Sequence, residues 1–301
     1  MWETQGMNPR KDYPGFWHAV LLCVVVLAFQ TGLVIPFLVI DLILKSRLVS
    51  HPAVLGVVNI FSFAGAMWIA WLFSRRPVSE WVPLRRIPGQ AIAGVVVGSV
   101  GAMILLSEVD NLVRFVLPTP EWLVELFLGL SKESFWAAGF VLVIVAPVTE
   151  EILFRGVILP GFLRRFGVLK AFLLSAILFG GIHLNPWQFI SASGLGILFA
   201  WWYARTRSLI PSLIGHALVN GMVWLNPTLP FEIEGFNAGD PTGEAVLHPP
   251  WLDGLGLITL AAGLWLFGSA TPPIRREPSG DLPAAVSSDV VPPAEPAGGN
   301  A

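Results

Sequence analysis

The chain has 301 residues, 54% of them hydrophobic and only 13% charged, with a mean hydropathy of +0.71. That composition excludes a soluble globular domain and points to a polytopic membrane protein. A formal charge of -2 decides little, but the single cysteine, Cys23, excludes an intramolecular disulfide and a cysteine metal cluster.

A hydrocarbon core about 30 Å thick is crossed by roughly 20 apolar residues in a helix. Eight stretches meet or approach that length: residues 15–44, 53–74, 90–107, 135–159, 168–185, 187–204, 208–225 and 251–269. The expected fold class is therefore all-α, a polytopic transmembrane bundle of about eight helices. The first stretch exceeds the bilayer requirement and contains Pro36, which predicts one tilted or bent helix. It lacks the short apolar core and small-residue cleavage site of a secretory signal, so it is expected to be retained.

Charge alternates along the chain. Residues 75–86, 163–170, 205–207 and 275–276 are basic, whereas 108–134 carries five acids against two bases and 226–250 carries four acids and no Lys or Arg. The positive-inside rule then places the basic loops and both termini on the cytoplasmic side. Lys45 and Arg47 are the exception, falling on the outer side. Trp201, Trp202 and Tyr203, just before the basic 205–207 segment, read as an interfacial aromatic belt. His18, His51 and His248 receive no chemical role. Pro186 and Trp187 read as shaping a tight outer turn, and the Pro, Ala, Gly and Ser-rich stretch from 271 as disordered. The expected organisation is N-terminal helices and an outer loop over 1–134, a core over 135–225, an outer loop and last helix over 226–270, and a tail over 271–301.

Ionisable side chains inside a membrane cost a few kcal/mol each, so those that persist face one another or a wet cavity. Three later stretches carry them: Glu150, Glu151 and Arg155 in one, His183 in the next, and His216 with Asn220 in a third. Glu151 and Arg155 are four apart with the acid first, which stacks them on one helix face as an ion pair. Glu150 lies about 100° around the helix and is left as the free carboxylate. Gly180 and Gly181 let a neighbour approach His183 closely, with Phe179 on the same face. His216 and Asn220, also four apart, present an imidazole and a carboxamide together, two donors of the kind an oxyanion hole uses. A carboxylate with a histidine to activate water, beside such donors, describes a hydrolase site. No serine or cysteine nucleophile motif and no HExxH sequence is present, nor any glycine-rich phosphate loop or basic-aromatic pattern suited to nucleic acid.

In order, these residues read EExxxR, FxxxH and HxxxN. They resemble the motifs of the CPBP family of intramembrane proteases, which includes the type II CAAX prenyl endopeptidases and Abi-type bacteriocin-immunity proteins. The resemblance covers roughly 135–225. It implies that Glu150 and His183 activate the hydrolytic water, that His216 and Asn220 form the oxyanion hole, and that Glu151, Arg155 and Phe179 support that centre. It leaves the metal open: no cofactor is required, but if a divalent ion such as zinc binds, Glu150, His183 and His216 are its ligands. The implied partners are the lipid bilayer and a membrane-associated peptide or lipidated, CAAX-like protein. A non-catalytic membrane scaffold or immunity protein is the alternative; a proton-coupled transporter is disfavoured by the absence of repeat symmetry. One difficulty stands in the sequence. Glu150 falls toward the cytoplasmic end of its helix and His183 near the outer end of its own, unless the chain bends at Pro147.

Overall fold

The computed structural model describes residues 13–239 and 244–274, without the side chains of 126–128 and 130–132. The expected tail lies outside the described residues from 275 on. Among the described residues there are nine helices: α1 Phe16–Leu44, α2 Pro52–Ser74, α3 Gly89–Val116, α4 Glu121–Glu133, α5 Phe135–Arg165, α6 Val168–Gly181, α7 Pro186–Thr206, α8 Ile210–Leu225 and α9 Pro250–Ala270. All but α4 correspond to the eight apolar stretches. By length and composition, α1, α2, α3, α5 and α9 are long and apolar enough to cross a membrane. The helical membrane bundle read from composition is the observed architecture.

The connections gather at two ends. At one, Arg47 pairs with Glu133 at 3.8 Å, Asn111 donates to Gly235 O at 2.9 Å, and Trp187 Nε1 donates to Leu117 O at 2.6 Å. At the other, the backbone N–H of Leu209 donates to Pro83 O at 2.8 Å, and Arg205 bonds Thr271. The acidic and basic loops thus lie at opposite ends of the bundle. The misplaced Arg47 has an acidic partner on its own side.

Two boundaries differ from expectation. α3 continues to Val116, past the expected 107, because its polar extension finds partners: Glu108 accepts the His248 backbone N–H, and Asn111 Nδ2 donates to Glu108 Oε2 and to Gly235 O. α6 stops at Gly181, so His183 lies in the turn that follows rather than in the helix. The aromatic-belt reading is corrected too. Trp202 is 1% and Tyr203 5% exposed; Trp202 stacks on Phe199 at 5.6 Å, so both fill the interior between helices.

α1 is continuous through Pro36. α5 is also continuous, but it contains two π-helical segments, Val141–Val145 and Ile152–Ile158, each followed two residues later by a proline, Pro147 and Pro160. A proline has no N–H and its ring clashes with the carbonyl four residues back. Widening the preceding turn to i→i−5 relieves that clash without breaking the helix. The segment carrying Glu150 and Glu151 sits between the two widened turns.

α3 and α9 cross at backbone contact. A Cβ on Gly263 would lie 2.2 Å from Gly98 N, and one on Gly101 2.2 Å from Leu260 N. Without a hydrophobic driving force between helices in lipid, small residues gain association through close backbone approach. Gly263→Leu is therefore expected to part these helices at a cost of about 1–3 kcal/mol, seen as a lower unfolding temperature of the protein in detergent. An unchanged unfolding temperature would show that the close crossing contributes nothing to stability.

Candidate active site

α5 forms the centre of a polar cluster to which α2, α6, α7 and α8 each send a group. Glu151 and Arg155 are fully buried, and Arg155 Nη1 donates to Glu151 Oε1 at 2.8 Å. Arg155 Nη2 donates to Gly196 O on α7 at 3.2 Å. Its guanidinium carbon lies 4.4 Å from the Phe179 ring centroid and 5.2 Å from that of Phe199, so ring faces take over part of the role of water around the charge. Phe179 thus supports the site by covering Arg155.

The pair is not closed on itself. His216 Nδ1 lies 3.0 Å from the same Glu151 oxygen. A carboxylate already paired with a guanidinium accepts, so Nδ1 donates, and the ring is fixed with Nε2 turned toward Glu150 Oε2 at 3.9 Å. Glu151 is therefore both the partner of Arg155 and the group that orients His216, a broader role than the isolated ion pair expected from i,i+4 spacing. Glu150 is buried, and its Oε2 has no hydrogen-bond partner among the described residues. It is the uncommitted carboxylate that the helical geometry indicated.

α8 docks on α5 through one face. His216, Asn220 and Trp224 follow at intervals of four: His216 meets the two glutamates, Asn220 Nδ2 donates to Leu142 O at 2.8 Å, and Trp224 Nε1 donates to Phe135 O at 3.2 Å. The bond from Asn220 has a local cause. In the π register, Ala146 N–H reaches Val141 O, and the next carbonyl, Leu142 O, would be served by residue 147, which is proline. Asn220 supplies the missing donor. One of its two amide hydrogens is thereby committed, leaving one for any other acceptor.

His183 is half-buried in the turn after α6. Its Nδ1 lies 3.0 Å from Phe179 O; a carbonyl only accepts, so Nδ1–H donates and Nε2 of the neutral ring carries a lone pair. The Phe179 ring spans between His183 and His216, with centroids 5.8 and 5.7 Å away. Gly180 makes this possible, since a Cβ there would meet Ser193 Oγ of α7 at 2.2 Å, whereas Gly181 faces open space. Among the described residues no hydrogen bond or ion pair joins His183 to Glu150. α5 runs unbroken through Pro147, and His183 lies beyond the end of its helix, tied back to Phe179.

Among the described residues, Glu150, His183 and His216 do not bring three ligand atoms within 4.8 Å of one another. Glu150 Oε2 and His216 Nε2 converge; His183 does not join them. The residues as arranged do not form a three-ligand zinc site.

Three participants carried no signal in the sequence reading. Asn59 of α2 accepts from Thr149 Oγ1 at 2.8 Å, beside the glutamates; Gly196 offers its carbonyl; and Trp224 extends the docking face of α8. The i+4 spacing of Trp224 from Asn220 was readable, but only the docking of α8 gives it meaning.

Removing Arg155 strands Glu151 in the interior. Arg155→Met is expected to cost about 3–5 kcal/mol, and Asn220→Ala, which orphans Leu142 O, about 1–3 kcal/mol, both read from thermal unfolding in detergent. Glu150→Gln should unfold like the wild type, since no hydrogen bond to Glu150 is lost. Equal losses at all three positions would contradict this ranking.

Residues 132–222 match the model of the type II CAAX prenyl endopeptidase Rce1-like family. The chain is 31% identical over 80 residues to the Bacillus subtilis protein named "Putative membrane peptidase YdiL", covering 27% of this chain and 33% of that one. It is 32% identical over 82 residues to the UPF0177 protein YxdF of Lactococcus lactis subsp. lactis, covering 27% of this chain and 45% of that one. The matched stretch thus spans less than half of either relative. No solved structure matches. The resemblance to the CPBP family, read from three motifs, holds over the segment that contains all of them.

Proposed function

We propose that this chain, related through residues 132–222 to the type II CAAX prenyl endopeptidases, is an intramembrane endopeptidase that hydrolyses a peptide bond of a membrane-associated or lipidated substrate. The observation that carries the reading is Glu150: its buried Oε2 is unbonded 3.9 Å from an imidazole whose other nitrogen is anchored, whereas Glu151, one oxygen of which is also unbonded, is tied through Oε1 to both Arg155 and His216. A structural carboxylate in a membrane interior is expected to be paired, as Glu151 is.

In this mechanism Glu150 takes a proton from a water that attacks the scissile carbonyl, then returns it to the departing amide nitrogen. The Nε2 lone pair of His183 accepts from the same water and orients it. Asn220 donates its uncommitted amide hydrogen to the developing oxyanion. His216 donates there from Nε2 only as the imidazolium, because Nδ1–H is held by Glu151. Glu151 and Arg155 fix the ring and the helix and do not touch substrate. No step passes through a metal. The cytoplasmic placement of both termini belongs to the same proposal and rests on the charge pattern of the loops.

Membranes from cells carrying wild-type protein and from cells carrying Glu150→Gln, at matched abundance, are compared by terminal-peptide mass spectrometry. New peptide termini present with wild type and absent with Glu150→Gln are expected, and they identify the substrate and its cleavage position. A cellular phenotype that follows both proteins with no change in termini would replace this reading with the non-catalytic scaffold.

A further inference from the structure

A second group of ligand-type side chains lies at the outer end of the bundle, and it comes together where the active-site set does not. His248, in the segment before α9, packs its fully buried side chain between Glu108 of α3 and Asp253 in the first turn of α9. Among the described residues, Glu108, His248 and Asp253 are the group whose ligand atoms all lie within 4.8 Å of one another.

The hydrogen bonds around the ring fix what it must hold. Ser107 Oγ lies 2.8 Å from Ile104 O and 3.2 Å from His248 Nε2. The carbonyl only accepts, so the single hydroxyl hydrogen goes to it, and the hydroxyl oxygen receives Nε2–H. Nδ1 faces Asp253 Oδ1 at 3.0 Å and the nearer Glu108 oxygen at 3.7 Å. With the hydrogen of the neutral ring on Nε2, the Nδ1 lone pair points at two carboxylates, an arrangement satisfied by a cation among the three.

We propose that Glu108, His248 and Asp253 bind a divalent transition-metal ion of the zinc class. A divalent ion with a neutral imidazole balances two carboxylates, whereas a proton on Nδ1 leaves one negative charge beside a fully buried side chain. The 3.0 Å between His248 Nδ1 and Asp253 Oδ1 is close to the roughly 3.4 Å expected between tetrahedral ligands each about 2.0–2.1 Å from the ion, and an oxygen of Glu108 lies within 4.8 Å of both. The outer partners are those that orient metal ligands. Nε2–H is held by Ser107, and Glu108 Oε2 accepts the His248 backbone N–H at 2.9 Å and Asn111 Nδ2 at 3.0 Å, which leaves its other oxygen to the ion. Asp253 is partly exposed, which gives the ion a way in and room for a water as the fourth ligand. The three ligands come from α3, the segment before α9 and α9, so the ion ties the outer segment to the close-packed α3–α9 pair. This site is separate from the catalytic cluster and independent of the proposed proteolysis.

The test uses the full chain in detergent, equilibrated with Zn2+, desalted, and measured for metal by plasma mass spectrometry, alongside His248→Gln, Asp253→Asn and the active-site variant His216→Gln. Wild type and His216→Gln are expected to retain about one ion per chain, and the two outer variants about tenfold less. EDTA is expected to lower the unfolding temperature of the wild type and leave that of Asp253→Asn unchanged. If an outer variant fails to fold, the wild type alone decides: Co2+ in place of Zn2+ gives the visible absorption of a four-coordinate ion, removed by EDTA. Wild type without stoichiometric metal, with an unfolding temperature indifferent to EDTA, overturns the proposal and leaves a protonated His248 held by two carboxylates. Metal lost in His216→Gln but retained in His248→Gln also overturns it.

Discussion

The structure depends on keeping one charge pair in a place that disfavours charge. Glu151 and Arg155 are both inaccessible to solvent, and transferring two such groups from water costs several kcal/mol each before they attract one another. The bundle offsets that cost from four directions: the direct hydrogen bond, the Gly196 carbonyl, the aromatic faces of Phe179 and Phe199, and His216 on the second side of Glu151. Apart from the direct bond within α5, these contributions come from α6, α7 and α8. Satisfying the pair therefore assembles the helices that carry the candidate active site, and stability and chemistry share residues. A defect at Glu151 or Arg155 reports on folding first.

The second constraint is backbone accounting in a medium without water to serve stray carbonyls. Two prolines in α5 would each break an ordinary α-helix. The chain absorbs them with π turns, and the carbonyl left over at Leu142 is served by Asn220. A residue that resembles an oxyanion donor is thus also a rivet between α5 and α8. The two roles are compatible because a carboxamide has two hydrogens. The short helical stretch between the same turns brings Glu150 Oε2 to 3.9 Å from His216 Nε2.

Much of this was legible in the residues. Hydropathy located eight apolar helices, five of them long and apolar enough to cross a membrane, because apolar length reports directly on the bilayer, and i,i+4 spacing identified the Glu151–Arg155 pair and left Glu150 outside it because both residues of the pair share one helix. What lay beyond single-helix geometry was not readable. Tyr203 and Trp202 look like an interfacial belt by their position beside Arg205, yet they are buried, since hydropathy does not say which face meets lipid and which meets protein. The bonds of Asn220 to Leu142 O, of Arg155 to Gly196 O and of Thr149 to Asn59 depend on the register between helices. His248 drew no chemical reading because Glu108 and Asp253 reach it from 140 residues before and 5 after, a convergence only the close α3–α9 crossing creates.

The central claim is that of two adjacent glutamates, Glu150 does the chemistry and Glu151 holds the architecture. The direct measurement is the rate of peptide-bond hydrolysis by purified wild-type and Glu150→Gln protein in liposomes, in EDTA and in 18O-enriched water, with unfolding temperature recorded for each. The account predicts that the wild type places solvent oxygen in the new carboxyl group with EDTA present. It predicts that Glu150→Gln unfolds at the same temperature but turns over about 10²–10⁴-fold more slowly. Glu150→Gln protein that hydrolyses the peptide at the wild-type rate would contradict it.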